Sequence, residues 1–358
     1  MNLHSINTLF DVSALCSQNI SGVGVYVKNL YEELSSSKEI HVKGVWKFNQ
    51  AFKSRHLSKH ISGQSNIFFP SFSNILNHKF NVFHGPDFNL YCGNKFKTVL
   101  TLHDFAFFED NLLDVDFAKY YKEKVDFILR KKTPDRIITV SNFTKEKLIE
   151  KYPSFEKKVF TVHHGVNHLL SLSSKKEPKT TSNSPYFLFV GNIERRKNII
   201  ALVKAFQEVN KKHPEFKLKI IGKDGFDSNN IHKFIHQSKI KNKIDVIQNV
   251  NIYNLIQLYQ NAFALTYPSL YEGFGFPILE AMSLGCPVIT SNFGAMKEIS
   301  GDCAVQVQPN DIESISSGML SLITNPSYRK NLISNGYNRA QQFTWKKCAI
   351  ETIRAYQS

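Results

Sequence analysis

The feature that most constrains this chain is an alternation of short β-rich runs with amphipathic stretches, repeated in two halves and broken once by a polar interval. In the first half the strand signals fall at Asn7–Val12, His41–Trp46, Val82–His84, Thr98–His103, Arg136–Val140 and Val159–Val162, with helices starting near Val23, Phe117 and Asn142. Ser141 is placed to cap the last of these, with the helical pattern running on from Lys145 to Ile149. Residues 168–185 then lose all apolar periodicity and turn to Ser, Thr, Lys and Pro, the composition of a linker. Alternation resumes with strands at Tyr186–Val190, Lys217–Ile221, Ile244–Ile247, Ala262–Tyr267 and Val288–Thr290. Helices lie between them at Ile199–Asn210, Ile231–Ser238, Ile252–Asn261 and Pro277–Leu284. Such alternation predicts an α/β chain of two doubly wound, Rossmann-like domains, each a parallel sheet covered on both faces. A length of 358 residues also exceeds what one core usually organises. Ligands of such sheets bind beyond the carboxyl ends of the strands, so the site is expected in a cleft between the two halves.

Composition narrows the setting. No window approaches eighteen consecutive apolar residues, which argues against a membrane-spanning helix. The start MNLHSINTLFDVSAL reads as a first strand and not as a secretion signal, which gives an expectation of a cytoplasmic location. Cys16, Cys92, Cys286, Cys303 and Cys348 show no metal-clip or redox spacing, as expected for thiols in a reducing compartment. The formal charge of +15 fits an anionic substrate, an anionic surface or simply a Lys-rich exterior. Nucleic acid is not expected as a partner, because no recognisable binding module is present. Residues 51–80 contain no Asp or Glu and interleave Lys53, Arg55, Lys59 and Lys79 with five phenylalanines. That pattern suits peripheral contact with an anionic membrane, or equally an acceptor-binding loop.

The chemistry concentrates in Tyr267–Pro287, YPSLYEGFGFPILEAMSLGCP. A buried strand ends at Tyr267, Pro268 and Ser269 turn the chain, and Gly273 and Gly275 permit close approach of backbone to a ligand. Pro277 suits the first position of the following helix, whose N-terminus can face a phosphate. Glu272 lies on the loop and Glu280 about one turn into the helix, so one carboxylate can meet a sugar and the other a ribose. A glycine-rich strand-to-helix turn with two solvated glutamates is the bland alternative.

The string E-G-F-G-F-P-I-L-E from Glu272 to Glu280 resembles the E-x7-E signature of family 4 retaining glycosyltransferases of the GT-B fold. Pro287–Asp302 is similar to the segment after that signature, Phe189–Asn198 to the opening of the donor domain, and Ser21–Leu30 to the N-terminal glycine loop. Leu102–Asp104, Val140–Phe143, His164–Asn167 and Phe343–Trp345 follow in family order. The resemblance implies an acceptor-side domain over 1–167, a donor domain over 186–343, and a terminal helix, 344–358, crossing back to the first domain. It also implies hexose transfer from a nucleotide-diphosphate sugar to a glycan or lipid-linked acceptor, with GDP-mannose the expected donor. Within the family, the chain resembles O-antigen and polysaccharide mannosyltransferases.

By the same resemblance, Lys197 pairs with the donor diphosphate, with Arg196 beside it. Glu272 orients the transferred sugar, and Glu280 binds the ribose hydroxyls. The backbone amides of Phe274, Gly275 and Phe276 face the donor, since Pro277 has no N–H. His103 contacts the sugar or the leaving phosphate, and Gly22 and Gly24 let their loop approach the donor or acceptor. Three positions depart from the family pattern: Asn192 where an arginine is common, Asn249 where glycine is common, and Val25 where a polar residue is common. No cofactor or metal is expected. Asp114-Val115-Asp116 spells the D-x-D of metal-dependent transferases but lies at a helix entry without that context. The competing readings are a non-catalytic glycosyltransferase-like partner subunit, and another GT-B enzyme such as a nucleotide-sugar epimerase or a phosphorylase.

Overall fold

The computed structural model describes residues 6–17, 20–46, 60, 67–68, 80–90, 96–173 and 184–358. Contacts divide the chain into two compact units, one of Met1–Phe105, Lys119–Gly165 and Thr344–Ser358, the other of Ala106–Ala118 and Val166–Phe343.

In the first unit the strands are β1 (Ile6–Asp11), β2 (Ile40–Val45), β3 (Ile67–Phe68), β4 (Val82–Gly85), β5 (Lys97–Leu102), β6 (Arg136–Thr139) and β7 (Val159–Thr161). Their spatial order is β3-β2-β1-β4-β5-β6-β7, and every pairing is parallel. The order reverses between β1 and β4, the switch point at which doubly wound sheets open a crevice. Val99, Leu100, Thr101 and Leu102 of β5 are all buried, as expected of a strand covered on both faces. The helix Gly22–Ser36 starts at Ser21, whose side chain accepts from the Gly24 N–H.

The C-terminal helix Trp345–Gln357 belongs to this unit and lies against the helix Gly22–Ser36 and strands β5 and β6. It is fastened by a buried chain of hydrogen bonds. Tyr356 Oη meets His84 Nδ1 at 2.7 Å, His84 Nε2 meets Thr101 Oγ1 at 2.7 Å, and Thr101 Oγ1 meets Tyr26 Oη at 3.0 Å. Gly165 makes the approach of this segment possible, since a Cβ there would sit 2.2 Å from the Trp345 backbone nitrogen.

The second unit has strands β8 (Tyr186–Val190), β9 (Lys217–Ile221), β10 (Ile244–Ile247), β11 (Ala264–Tyr267), β12 (Val288–Ser291) and β13 (Val305–Val307). They run β10-β9-β8-β11-β12-β13, all parallel, with the reversal between β8 and β11. Phe187, Leu188 and Phe189 of β8 and Ala264, Leu265 and Thr266 of β11 are fully shielded, so these two strands form the centre of the core. Both units are α/β, Rossmann-like and parallel, the fold class expected from the alternation.

Some expectations shift. Within 168–185 a short helix occupies Leu170–Ser173, while 174–183 lie outside the described residues. Most of 51–80, including Lys53, Arg55, Lys59, Lys79 and three of the five phenylalanines, also lies outside them, as does Cys92. The other four cysteines carry no disulfide. Pro277 stands second in its helix, Phe276–Ser283, because Gly275 takes the capping position. The helices Gly294–Ser300, Ile312–Thr324 and Pro326–Ala340 and strand β13 have no counterpart in the sequence reading. Asp114 accepts hydrogen bonds from the backbone of Asp116 and Phe117 at 3.1 and 3.0 Å, which makes it the cap of the helix Val115–Phe127. No helix among the described residues is long and apolar enough to cross a membrane.

Candidate active site

Lys197 and Glu272 stand 75 positions apart in sequence, yet the strand order of the second unit brings them together. β8 runs into the loop carrying Glu194, Arg196 and Lys197, and β11 into the loop carrying Glu272. Because β8 and β11 are parallel neighbours at the switch point, both loops emerge at the same sheet end. The two loops are also tied by backbone: the Leu270 N–H donates to the Arg196 carbonyl at 2.8 Å. Asn198, at φ +60°, closes the turn after Lys197 and donates from Nδ2 to the carbonyls of Pro268 and Pro309. Thr290 and Ser291 of β12 brace the second loop from below, donating to the carbonyls of Tyr267 and Ser269 at 3.0 and 2.7 Å.

Within this frame the charged groups form one buried cluster. Lys197 Nζ donates to Glu272 Oε1 at 2.5 Å and to Tyr267 Oη at 2.9 Å. Tyr267 Oη donates in turn to Glu272 Oε1 at 2.8 Å. Arg196 Nη1 donates to Glu272 Oε2 at 2.9 Å, and its Nε lies 2.7 Å from Glu194 Oε1. The side chains of Lys197 and Glu272 are 7% and 8% exposed, so solvent screens this pair little. Burial alone would raise the Glu272 carboxyl, but the charges of Lys197 and Arg196 and the hydrogen bonds from Lys197 and Tyr267 hold it down at about 2. The same burial, with Arg196 adjacent, weighs against the Lys197 charge, and Glu272 and Glu194 offset it. Two cations and two anions leave the cluster formally neutral.

Glu280 lies on the helix Phe276–Ser283. Its Oε2 accepts from Tyr259 Oη at 2.8 Å, and burial pushes its carboxyl above the usual range. Gly275, at φ +104°, caps that helix in the left-handed region that favours glycine. The Ile278 N–H is taken by the Gly275 carbonyl at 3.1 Å. Pro277 has no N–H, so any amide facing a ligand here comes from the candidates Phe274, Gly275 and Phe276. Gly273 is buried in the same loop, and the Phe274 ring lies edge-on to Phe276 and Phe343.

The remaining candidates belong to the first unit. His103 follows β5, and its Nε2 meets the Pro86 carbonyl at 2.7 Å, beside the end of β4. A carbonyl only accepts, so Nε2 carries the proton and Nδ1 is the acceptor in the neutral ring. Burial lowers the His103 pKa, against Asp87, the Pro86 carbonyl and Asp104, which favours that neutral form. The ring lies edge-on to Tyr26 at 5.1 Å, and His164 stacks on Trp345 at 6.0 Å behind it. Gly22 is the exposed first residue of its helix. Gly24 has an internal steric reason to be glycine, since a Cβ there would come within 2.6 Å of Ile20 Cβ.

Arg196, Lys197, Glu272, Gly273, Phe274, Gly275, Phe276 and Glu280 thus share the switch-point end of one sheet, and His103, Gly22 and Gly24 lie in the other unit. Sequence reading passed over Glu194, Tyr259 and Tyr267. Glu194 had a signal in the run Glu194-Arg195-Arg196-Lys197, where a carboxylate precedes three cations. The two tyrosines had none, being indistinguishable from core aromatics. Asn249 sits at φ +56°, a conformation glycine adopts freely and asparagine tolerates better than most residues, which accounts for that departure. Asn192 is exposed.

Residues 172–339 match the family described as glycosyl transferases group 1, and residues 20–168 match glycosyltransferase family 4. The chain is 29% identical over 300 residues to the O-antigen chain mannosyltransferase B of Escherichia coli, covering 79% of this chain and 75% of that one. It is 28% identical over 243 residues to the O-antigen chain mannosyltransferase RfbU of Salmonella typhimurium, covering 64% of this chain and 65% of that one. Among solved structures, Anabaena Alr3699/HepE in complex with UDP and glucose aligns over 99% of this chain and 100% of that one, with a TM-score of 0.72 at 15% identity. Two Rossmann-like sheets and a family match on each half lead to one assignment: the chain belongs to the family 4 glycosyltransferases, enzymes of the GT-B fold.

Proposed function

We propose that the chain transfers mannose from GDP-mannose to a glycan or lipid-linked glycan, with retention of configuration and without a metal. The observation that carries this reading is the buried Lys197–Glu272–Arg196 cluster at the β8/β11 switch point. A diphosphate arriving there meets two cations fixed by a shared carboxylate, in a site with little screening. Mannose as the sugar is supported by the names of the two curated relatives; the Anabaena structure with UDP and glucose keeps a uridine donor in view.

In the proposed reaction an acceptor hydroxyl attacks the anomeric carbon on the face from which the phosphate departs. The bond from that carbon to the β-phosphate oxygen breaks, and the acceptor's proton passes to the departing phosphate. Glycoside and nucleoside diphosphate are the products. Lys197 and Arg196 neutralise the charge that grows on the leaving group, the work a metal would otherwise do. Glu272 orients the sugar through its hydroxyls, and Glu280 accepts from the ribose. His103, neutral and presenting Nδ1 as an acceptor, suits a sugar hydroxyl better than a phosphate oxygen. Peripheral contact with an anionic membrane and a cytoplasmic location accompany a lipid-linked acceptor in this reading.

The test is thermal unfolding with a panel of nucleotide sugars, followed by NMR of the glycosidic product. GDP-mannose should stabilise the chain by about 2.7 kcal/mol at a hundredfold excess over its dissociation constant. Lys197→Ala should abolish the shift, and the product should keep the donor's anomeric configuration. Stabilisation by UDP sugars alone would overturn the donor, and an inverted product would overturn the stereochemistry.

A further inference from the structure

Tyr259 is fully buried on the helix Ile252–Gln260, and its hydroxyl has one described use: donation to Glu280 Oε2 at 2.8 Å. A buried tyrosine that spends its only proton on a partly buried carboxylate is aimed at that carboxylate. Glu280 itself is held from its backbone side. Its carbonyl accepts from the Leu284 N–H at 3.2 Å and from Ser283 Oγ at 2.8 Å. Among the described residues the carboxylate's other oxygen, Oε1, has no hydrogen-bond partner.

We infer that Tyr259 is a positioning residue for the donor's ribose: it locks one oxygen of Glu280 so that the other is presented to a vicinal diol. The inference rests on the reading that Glu280 meets the ribose. Three physical consequences follow from the geometry. The hydrogen bond fixes a side chain that otherwise has rotamer freedom to lose on binding. It favours the ionised form, opposing the burial that pushes the carboxyl upward. It also leaves Glu280 as an acceptor only, which selects hydroxyl donors. Tyr259 touches no substrate atom in this arrangement and acts through Glu280.

The experiment compares dissociation constants for GDP and 2′,3′-dideoxy-GDP, with UDP and its dideoxy form in parallel, across wild type, Tyr259→Phe and Glu280→Gln. The readout is the ribo-over-dideoxy preference, which a merely structural loss would leave unchanged because it weakens both ligands alike. Wild type should prefer the ribonucleotide by about tenfold or more, as one hydrogen-bonded pair to a charged group allows. Glu280→Gln should lose most of that preference. Tyr259→Phe should lose about three- to tenfold of it and bind the dideoxy form as wild type does. The wild-type preference should also collapse as pH falls and Glu280 protonates, and in Tyr259→Phe that collapse should come at a higher pH. A full preference in Tyr259→Phe with an unmoved pH profile, beside a lost preference in Glu280→Gln, overturns the role of Tyr259 and keeps the ribose reading. A full preference in Glu280→Gln, or binding of neither nucleotide, overturns the ribose reading and the inference with it.

Discussion

Replacing Lys197 by Met and Glu272 by Gln, singly and together, tests whether the cluster is held by coupled charges. The pair lies at 2.5 Å with both side chains under a tenth exposed, so removing one partner leaves the other buried and under-compensated. Breaking a buried pair in this way costs about 3–5 kcal/mol. Here the lower end applies to Lys197→Met, because Glu272 keeps Arg196 at 2.9 Å and Tyr267 at 2.8 Å. Glu272→Gln instead leaves Lys197 and Arg196 facing each other with Glu194 as the remaining anion, a net charge of about +1 in a low-dielectric site. Lys197→Met should therefore lose about 3 kcal/mol and Glu272→Gln about 4 kcal/mol, falls in melting temperature of roughly 6–16 °C for a unit of this size. The double variant restores neutrality and should recover about 2 kcal/mol of the summed loss, within the range seen for coupled neighbours. Calorimetric unfolding of the four proteins closes the cycle. Single effects that add, with coupling below about 0.5 kcal/mol, would refute the claim that these residues form one electrostatic unit.

Further outcomes follow from the same geometry. Glu272→Gln should abolish turnover while binding GDP at least as tightly as wild type, since both cations remain and their restraint is gone; Lys197→Met should lose both, and titration calorimetry distinguishes the two. His84, which burial and then the nearby His103 lower to about 3, stays neutral in the fold but titrates near 6.5 once unfolded. Its contribution is complete above about pH 6.5 and is lost as pH falls toward 3, so the melting temperature should drop between pH 7.5 and 5.5 by the equivalent of about 1 kcal/mol. His84→Gln should flatten that dependence, and an equal slope in the variant would count against it. Gly222→Ala should destabilise the second unit strongly, because a Cβ there would lie 1.8 Å from the Gly191 carbonyl oxygen; an unchanged melting temperature would contradict the close approach.

Much of the fold was legible because the information is local. A strand buried on both faces is predominantly apolar, and YFLF in β8 says so without knowledge of its neighbours. The last stretch of the second unit was not read, for an equally physical reason. β13 is three residues long, too short for a period to emerge. The helix Pro326–Ala340 buries little beyond Leu332, Gly336 and Ala340, so its apolar stripe is faint. What marks its start is the cap: Asn325 accepts from the Tyr328 N–H ahead of a proline at the first helical position.

The candidate site divides the same way. Lys197, Glu272 and Glu280 were named from sequence because each sits in a local pattern, a turn after a strand or a carboxylate on a helix start. That Lys197 and Glu272 bond to each other was not legible, because it depends on β8 and β11 being neighbours, and neighbour order is a property of the whole sheet. Tyr259 and Tyr267 were missed for the complementary reason. Each is fully buried and reads as core, and only the direction of a hydroxyl separates a filler from a residue that places a carboxylate. The consequence is general to sites at a switch point. Their charged members are written in the loops, where sequence can find them. The groups that hold those charges in place are written in the strands and helices beneath, where an aromatic residue looks the same whether or not its hydroxyl is used.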